Sequence, residues 1–459
     1  MLPKKFEEQM KALLKNDYDS FIASMDKPSV KGLRINRTKA SPEIVTSELQ
    51  GDIEKLSYGE ECYKILCDTE GFGNTPLHRA GAFYIQDPGA MAALASAAHV
   101  IKEGMRAADL CAAPGGKTTQ LSSLIGNKGF LLANEYVPKR AKILLGNIER
   151  LGITNTVISS LDTSELSKDY KGFFHFVLAD APCSGEGMFR KGDIAKEEWS
   201  TEGIVNCVSR QMQILDNAAE MVAEGGYLLY STCTYNIEEN EKQLDAFLTR
   251  HPSFSLIPAA EQVIPLTADG IIPDGSSRTE LKLCRRFYPH ISEGEGQFVA
   301  LMRRAGELDI SAKPQKNEKK KGEKPSPVPP PVLAFLEENL TKFPDGVIKM
   351  HGDNAVLHLH GVPLPKRNVF LSGILLGEVS GKNLFPSYQL FSALGHLFKR
   401  KLELSYDNAL KYLKGEELEC LDLEMRGYAA ICYKGVVLGG GKISDGRVKN
   451  HYPKGLRTN

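Results

Sequence analysis

The chain has 459 residues, too many for one ordinary domain, so two or three are expected. Hydrophobic residues make up 42% and charged residues 25%, which permits a filled core and excludes global disorder. Lys plus Arg (57) equals Asp plus Glu (57), so the overall charge selects no class of partner; only local clustering of basic groups could.

In residues 1–14, Phe6, Met10, Leu13 and Leu14 follow helical spacing, without the apolar core and cleavage site of a secretory signal. A second short helix, an extended segment at 32–36, a helix near 42–49 and the run CYKILC follow, which predicts a small α+β unit over residues 1–78. In the extended segment Arg34, Asn36, Arg37 and Lys39 alternate with apolar positions, a pattern open to RNA contact or to an ordinary surface strand. The segment HRAGAFYIQDPGAM (78–91) leads onward; Tyr84, Gln86 and Asp87 could orient a substrate there, and Tyr84 could equally be core.

From 79 to 305 the rhythm becomes strand, loop, helix. Candidate strands are 105–110, 129–135, 155–160, 174–180 and 225–232, with helices at 117–124, 138–151 and 205–223. Such alternation predicts an α/β domain with a parallel sheet covered on both faces. Its ligands should lie beyond the carboxyl ends of the strands. Trp199 reads as a packing anchor rather than a stacking platform. A lysine- and proline-rich stretch at 306–331 reads as a linker to a C-terminal domain over 332–459. Near its end Lys442, Arg447, Lys449, Lys454 and Arg457 gather with His451 and Tyr452, a mixture suited to phosphate contact and base stacking. No apolar run approaches the ~20 residues that cross a bilayer, so no membrane partner is expected. The nine cysteines are dispersed without a C-x-x-C pair, which argues against a zinc ribbon or a disulfide framework and for a reducing cytoplasm.

The first strand of this rhythm runs into DLCAAPGGKTTQL (109–121). Gly115 and Gly116 permit a tight turn and close backbone approach, and the helix behind them presents free N–H groups. Neither a G-x-G-x-x-G fingerprint nor a phosphate-binding G-x-x-x-x-G-K-[ST] loop is present. Glu135, after the second strand, can accept bonds from both hydroxyls of a ribose. Asp162, after the third, could reach an adenine amino group. Together they outline an adenosine pocket.

The fourth strand runs into DAPCSGEGMFR and the fifth into STCTYN. Consecutive parallel strands usually neighbour each other, which would put Cys183 and Cys233 in one cleft beside the glycine loop. A lone cysteine is usually a small buried hydrophobe; two at adjacent strand ends are not so easily explained. A nicotinamide-dependent oxidoreductase would account for the loop and Glu135, and would leave both thiols unused.

DLCAAPGGKT, DAPCSGEG and STCTYN resemble the signature motifs of the Sun-type RNA:cytosine-5 methyltransferase family, over roughly residues 79–304. The resemblance implies a Rossmann-like, class I sheet of seven mostly parallel strands. It implies S-adenosyl-L-methionine over Cys111, Ala112, Ala113, Pro114, Gly115, Gly116 and Lys117, with contacts from Glu135, Asp162 and Asp180. Cys233 would be the nucleophile, Cys183 would assist release of the methylated RNA, and Asp180 and Lys117 would contact the cytosine. No metal is implied. Carbon 5 of cytosine is a poor nucleophile until a thiolate adds to carbon 6, which is why such chemistry requires a cysteine. The whole arrangement resembles the bacterial 16S rRNA subgroup of that family, with an RRM- or ferredoxin-like N-terminal RNA-binding unit and a C-terminal PUA-like RNA-binding domain. The expected partner is therefore RNA, 16S rRNA or the small ribosomal subunit. The same chemistry on tRNA, or a non-catalytic ribosome assembly factor, are the alternatives.

Overall fold

In a computed structural model of the chain, residues 2–49, 51–67, 71–311, 327–358 and 364–458 are described. Most of the connection expected at 306–331, namely 312–326, lies outside them. Two helices, Lys4–Leu14 and Tyr18–Met25, open the chain. Strands β1 (Gly32–Ile35), β2 (Ile53–Lys55), β3 (Cys62–Ile65) and β4 (Phe83–Gln86) then form an antiparallel sheet in the order β2-β3-β1-β4. Because β4 pairs with β1, the first sheet extends past residue 78, the boundary read from the sequence. Asp87 ends that strand and caps the next helix, Pro88–Ala95, accepting from Ala90 N at 2.9 Å.

The central sheet carries β5 (Arg106–Asp109), β6 (Phe130–Asn134), β7 (Thr156–Ser159), β8 (Phe174–Asp180) and β9 (Val222–Thr232), all parallel in the order β7-β6-β5-β8-β9. Beyond β9 the sheet turns antiparallel through β10 (Phe254–Leu256), β11 (Ala268–Asp269), β12 (Arg285–Phe287) and β13 (Gln297–Arg304). Neighbouring residues on the central strands face opposite layers, and both layers are dry. Ala108, Leu132 and Val177 belong to one buried cluster; Ala107, Leu131 and Phe176 belong to the other. Helices Gly116–Ile125, Pro138–Arg150 and Thr201–Met221 connect the parallel strands close to where the sequence pattern puts them.

The stretch expected as one PUA-like domain holds two sheets. Strands β14 (Val347–His351), β15 (Asn354–His358), β17 (Ile374–Ser380) and β18 (Asn383–Pro386) form the first, while β16 (Val369–Leu371) leaves them and pairs antiparallel with β7. The central sheet thereby reaches ten strands rather than seven. The second sheet is made of β19 (Lys401–Glu403), β20 (Leu418–Glu419), β21 (Gly427–Tyr433), β22 (Val436–Ser444) and β23 (Arg447–Asn450).

The flanks share a core. Leu33, Ile35 and Phe83 sit in one buried cluster with Tyr412, Ile431 and Leu438. The polar residues of β1 are drawn into this packing, contrary to the reading of a surface strand or an RNA face. Arg34 and Asn36 are buried, and Asn36 Nδ2 donates to Gly81 O and Leu151 O, both at 2.9 Å. Only Arg37 turns outward, to Glu60 at 2.9 Å. Tyr84 is core, and so is Tyr452, whose ring packs 5.5 Å from Tyr412 and is closed to base stacking. Lys442 and Lys449 remain exposed and stand opposite each other on β22 and β23, with Lys442 Nζ 5.4 Å from the Tyr428 ring. Like charges in register repel.

Candidate active site

The glycine loop starts where β5 ends. Asp109, buried, ties the loop down: its Oδ2 accepts from Thr118 Oγ1 at 2.7 Å, and its Oδ1 from Cys111 N at 3.3 Å. Burial pushes the Asp109 carboxyl up to about 7. Helix Pro138–Arg150 holds the loop from outside, with Arg140 Nη2 on Ala113 O at 2.8 Å and Asn147 Nδ2 on Pro114 O at 2.9 Å. Gly115 adopts φ +117°, a conformation side chains resist, and a Cβ on Gly116 would press 3.1 Å from the Gln86 amide. Asn134 fastens the ends of the neighbouring strands, donating to Leu110 O and Leu161 O and accepting from Ser159 Oγ and Leu161 N.

Glu135 follows β6 and is buried. Its Oε1 accepts from Val137 N at 3.0 Å, while Oε2 accepts no hydrogen bond and has Arg140 Nη1 3.4 Å away. A buried carboxylate oxygen left open beside a glycine loop is an acceptor shaped for a ligand hydroxyl. Asp162 has a structural occupation: its Oδ1 caps helix Thr163–Asp169 through Ser164 N at 2.9 Å and Ser164 Oγ at 2.6 Å, and the residue is exposed.

Strands β8 and β9 are parallel neighbours with Asp180 opposite Ser231, so the loops after them emerge together. Cys183 Sγ and Cys233 Sγ stand 3.2 Å apart, each half-buried, and Cys233 N donates to Cys183 Sγ at 3.3 Å. All nine cysteines are free thiols. Asp180 Oδ1 accepts from Ser231 Oγ at 2.6 Å and Oδ2 pairs with Lys117 Nζ at 2.9 Å. Lys117 Nζ also reaches Gln297 Oε1 at 3.5 Å. Burial works to lower the Lys117 ammonium, and the Asp180 charge outweighs it, so its pKa is raised and the charge is retained.

The two thiols are electrically unequal. A hydrogen bond from Cys183 holds the Cys233 thiol below its ordinary pKa against burial and the Asp180 charge, with Lys117 and Lys191 adding to the effect. The same bond, burial and the charges of Cys233 and Glu239 push Cys183 well up. Their protons are shared, so the asymmetry belongs to the pair. The bond between the sulfurs sets its direction; Lys117 and Lys191 on the Cys233 side and Glu239 on the Cys183 side reinforce it, while Asp180 opposes it.

A buried polar frame holds both loops, and neither of its carboxylates is singled out by the sequence. Glu239 Oε2 accepts from Ser184 N at 2.8 Å and Gln211 Nε2 at 3.0 Å, and Ser184 Oγ also bonds Glu239. Glu186 Oε2 accepts from Thr234 Oγ1 at 2.9 Å and Tyr235 N at 3.1 Å, and its Oε1 from Trp199 Nε1 at 3.1 Å. Burial raises the Glu186 carboxyl to about 6. Trp199 is thus a packing and hydrogen-bonding anchor; Phe6 packs edge-on to it at 6.4 Å. The first two helices close this side, with Phe6 and Phe21 against Phe189 and Tyr235. Glu186 and Glu239 lie within or beside the quoted motifs. Their function is visible only once the two loops are folded together.

A parallel sheet with a glycine loop at its first central strand and two thiols at adjacent strand ends defines a methyltransferase. A methyltransferase homolog from Pyrococcus horikoshii is similar in structure, with a TM-score of 0.56 and 26% identity over 66% of this chain and 95% of that one. NSun6 from the same organism, solved with SFG, shares the fold at a TM-score of 0.55 and 22% identity over 66% of this chain and 99% of that one. The family model for 16S rRNA methyltransferase RsmB/F matches residues 99–303; models for the N-terminal domain and the PUA domain of RsmF match 2–88 and 399–458. The sheet of β14, β15, β17 and β18 lies outside those matches. The ribosomal RNA small subunit methyltransferase F of Aeromonas salmonicida is 31% identical over 455 residues, 95% of this chain and 93% of the relative. Its counterpart from Klebsiella pneumoniae is 28% identical, covering 99% of this chain and 96% of the relative. The chain belongs to the RsmB/F family of 16S rRNA methyltransferases.

Proposed function

We propose that this methyltransferase acts on carbon 5 of a cytosine in 16S rRNA, with Cys233 as the attacking group. The observation that carries the reading is the pair of sulfurs 3.2 Å apart, with Lys117 and Asp180 joined at 2.9 Å beside them. The open Glu135 oxygen and the loop turned at the positive-φ Gly115 fit S-adenosyl-L-methionine, the ribose on Glu135 and the remainder along Cys111–Lys117. NSun6 was solved with SFG, an analogue of that molecule, which supports the choice of cofactor. Bound there, S-adenosyl-L-methionine supplies a sulfonium methyl group for carbon 5 to accept.

The chain's own residues prepare the base. The 3.2 Å contact with Cys183 favours the thiolate form of Cys233, and Lys117 adds its field. The Cys233 thiolate adds to carbon 6, and the ring's conjugation is lost. Asp180, held by Ser231 and Lys117, is placed to favour protonation of nitrogen 3, which spreads the charge of that adduct. After methyl transfer, carbon 5 gives its proton to water, nitrogen 3 gives up the proton it took, and the carbon 6–sulfur bond breaks with the electron pair leaving on Cys233, which restores the ring. Cys183, the high-pKa thiol of the pair, stands nearest that departing sulfur and can return a proton to it. The exposed Lys442 and Lys449 give the C-terminal sheet a place for RNA phosphate. Free thiols throughout fit a reducing cytoplasm.

Bisulfite sequencing of RNA from a strain lacking the gene tests the substrate. The reading expects 5-methylcytosine to vanish from 16S rRNA and return on complementation. Loss confined to tRNA would overturn it.

A further inference from the structure

A second cleft lies where the N-terminal unit, the central sheet and the C-terminal sheets meet. Its volume is about 640 Å³, within the ordinary range for ligand sites, which favour domain junctions. Turns at 126–127 and 151–154 line it, and these lead into β6 and β7. It therefore opens at the amino edge of the parallel sheet, whereas Cys183 and Cys233 sit at the carboxyl edge.

Its walls are pinned in place. Lys39 Nζ donates to Ala80 O at 2.8 Å, Arg150 O at 3.1 Å and Ser392 Oγ at 2.8 Å, so one ammonium ties all three units. Ser392 Oγ in turn donates to Glu149 O at 2.6 Å. Arg34 lies between these walls and is 5% exposed. Its Nη2 donates to Thr119 Oγ1 at 2.5 Å, but its Nε is buried without a hydrogen-bond partner. Among the described residues no carboxylate pairs with it; Glu61 acts only at longer range and already faces Arg37 at 3.4 Å. Arg286, equally buried, shows the usual solution, with both arms on Glu241. A buried guanidinium without a counterion is costly, and its missing partner is an anion. Lys342 and His396 are exposed at the mouth, and Phe343 beside them is 48% exposed. The carboxylates in the lining are at the rim: Glu103 is solvated and 4.0 Å from Lys128, and Asp345 is exposed.

We propose that this junction cleft is a phosphate-binding site separate from the catalytic one, with the Arg34 guanidinium, the Lys342 ammonium and a ring N–H of His396 as its contacts. The phosphate is a phosphodiester of the RNA or free inorganic phosphate, and Phe343 offers a face to a base in the first case. Recognition through guanidinium, ammonium and imidazole suits a phosphate's spread of oxygen acceptors. The phosphodiester alternative rests on RNA being the substrate; the inorganic one does not.

Hydrogen exchange on the full chain, with inorganic phosphate or with a short single-stranded RNA as probe, tests this. The expected result is protection of amides at 122–127 and of Lys342, Phe343 and Asp345. Protection by phosphate alone assigns the site to the free anion, and protection by the oligomer alone assigns it to the phosphodiester chain. Lys342→Glu, an exposed change that leaves the fold intact, should weaken that protection at least tenfold. With the oligomer it should also lower the slope of log affinity against log salt by about 1. Arg34→Met, which removes the buried charge but keeps its bulk, should abolish protection. Absence of protection with both probes, or protection unchanged in Lys342→Glu, would overturn the site. Those outcomes leave methyl transfer to 16S rRNA untouched, so the two readings can fail separately.

Discussion

The carboxyl edge of the central sheet and the seam between the flanking units are built in opposite ways. At the carboxyl edge every reactive group comes from the end of a strand or the short segment after it: Lys117 follows β5, Asp180 ends β8, Cys183 follows β8 and Cys233 follows β9. Their mutual placement needs only that these strands be parallel neighbours. The seam instead joins residues far apart in the chain, such as Lys39 with Ser392, or Glu48 with Tyr433 at 2.9 Å. The first region is chemistry mounted on a rigid frame. The second is a fit among surfaces, and it sets how the flanks are presented to a large substrate.

If that contrast is right, changes at the edge should destroy rate with little loss of stability, and changes at the seam should do the reverse. Cys233→Ala should have the largest effect, lowering methyl transfer on the order of 10⁴-fold or more while the melting temperature stays within a few degrees. Lys117→Gln should cost roughly 10²-fold in rate. It should also shift the pH profile. Activity rises with pH as the Cys233 thiol, held below its usual pKa, ionises; without the ammonium beside it that rise should move to higher pH. A profile that does not move would remove Lys117 from thiol activation. In the interior of the catalytic domain, apart from the seam, Glu241→Gln leaves the buried Arg286 without its counterion and should lower unfolding free energy by about 3 kcal/mol, measured by denaturant titration. Smallest is Ser392→Ala at the seam, about 1 kcal/mol in the same measurement with the rate per folded molecule unchanged.

The same contrast explains what could be read from the sequence. Strands β5 to β9 were legible because parallel strands buried on both faces leave apolar runs, and the loops after them carry glycines and thiols at fixed offsets. Cys183, Cys233 and Glu135 could be placed at the strand ends from position alone. Asp162 was read the same way, and position did not distinguish a cofactor contact from the helix cap its side chain makes. Arg34 and Asn36 looked like surface residues because alternation marks which residues share a face but not what covers the other one. Their cover comes from helix Gly116–Ile125 and from the turn after helix Pro138–Arg150. Likewise β16 joins β7 by hydrogen bonds between the backbones of residues some two hundred positions apart, for which no side-chain pattern exists. Glu186 and Glu239 were missed because a carboxylate that accepts bonds from two loops is an ordinary acidic residue until those loops meet.

The central claim is the inequality of the two thiols, and it can be read on a denaturing gel. Cys183→Ala and Cys233→Ala proteins would each be incubated with 16S rRNA or immature small subunits and S-adenosyl-L-methionine, then denatured. The account predicts a covalent protein–RNA band in Cys183→Ala, where Cys233 still attacks but release is impaired, and none in Cys233→Ala. A band in Cys233→Ala that is absent from Cys183→Ala would assign the attack to the other sulfur and contradict it.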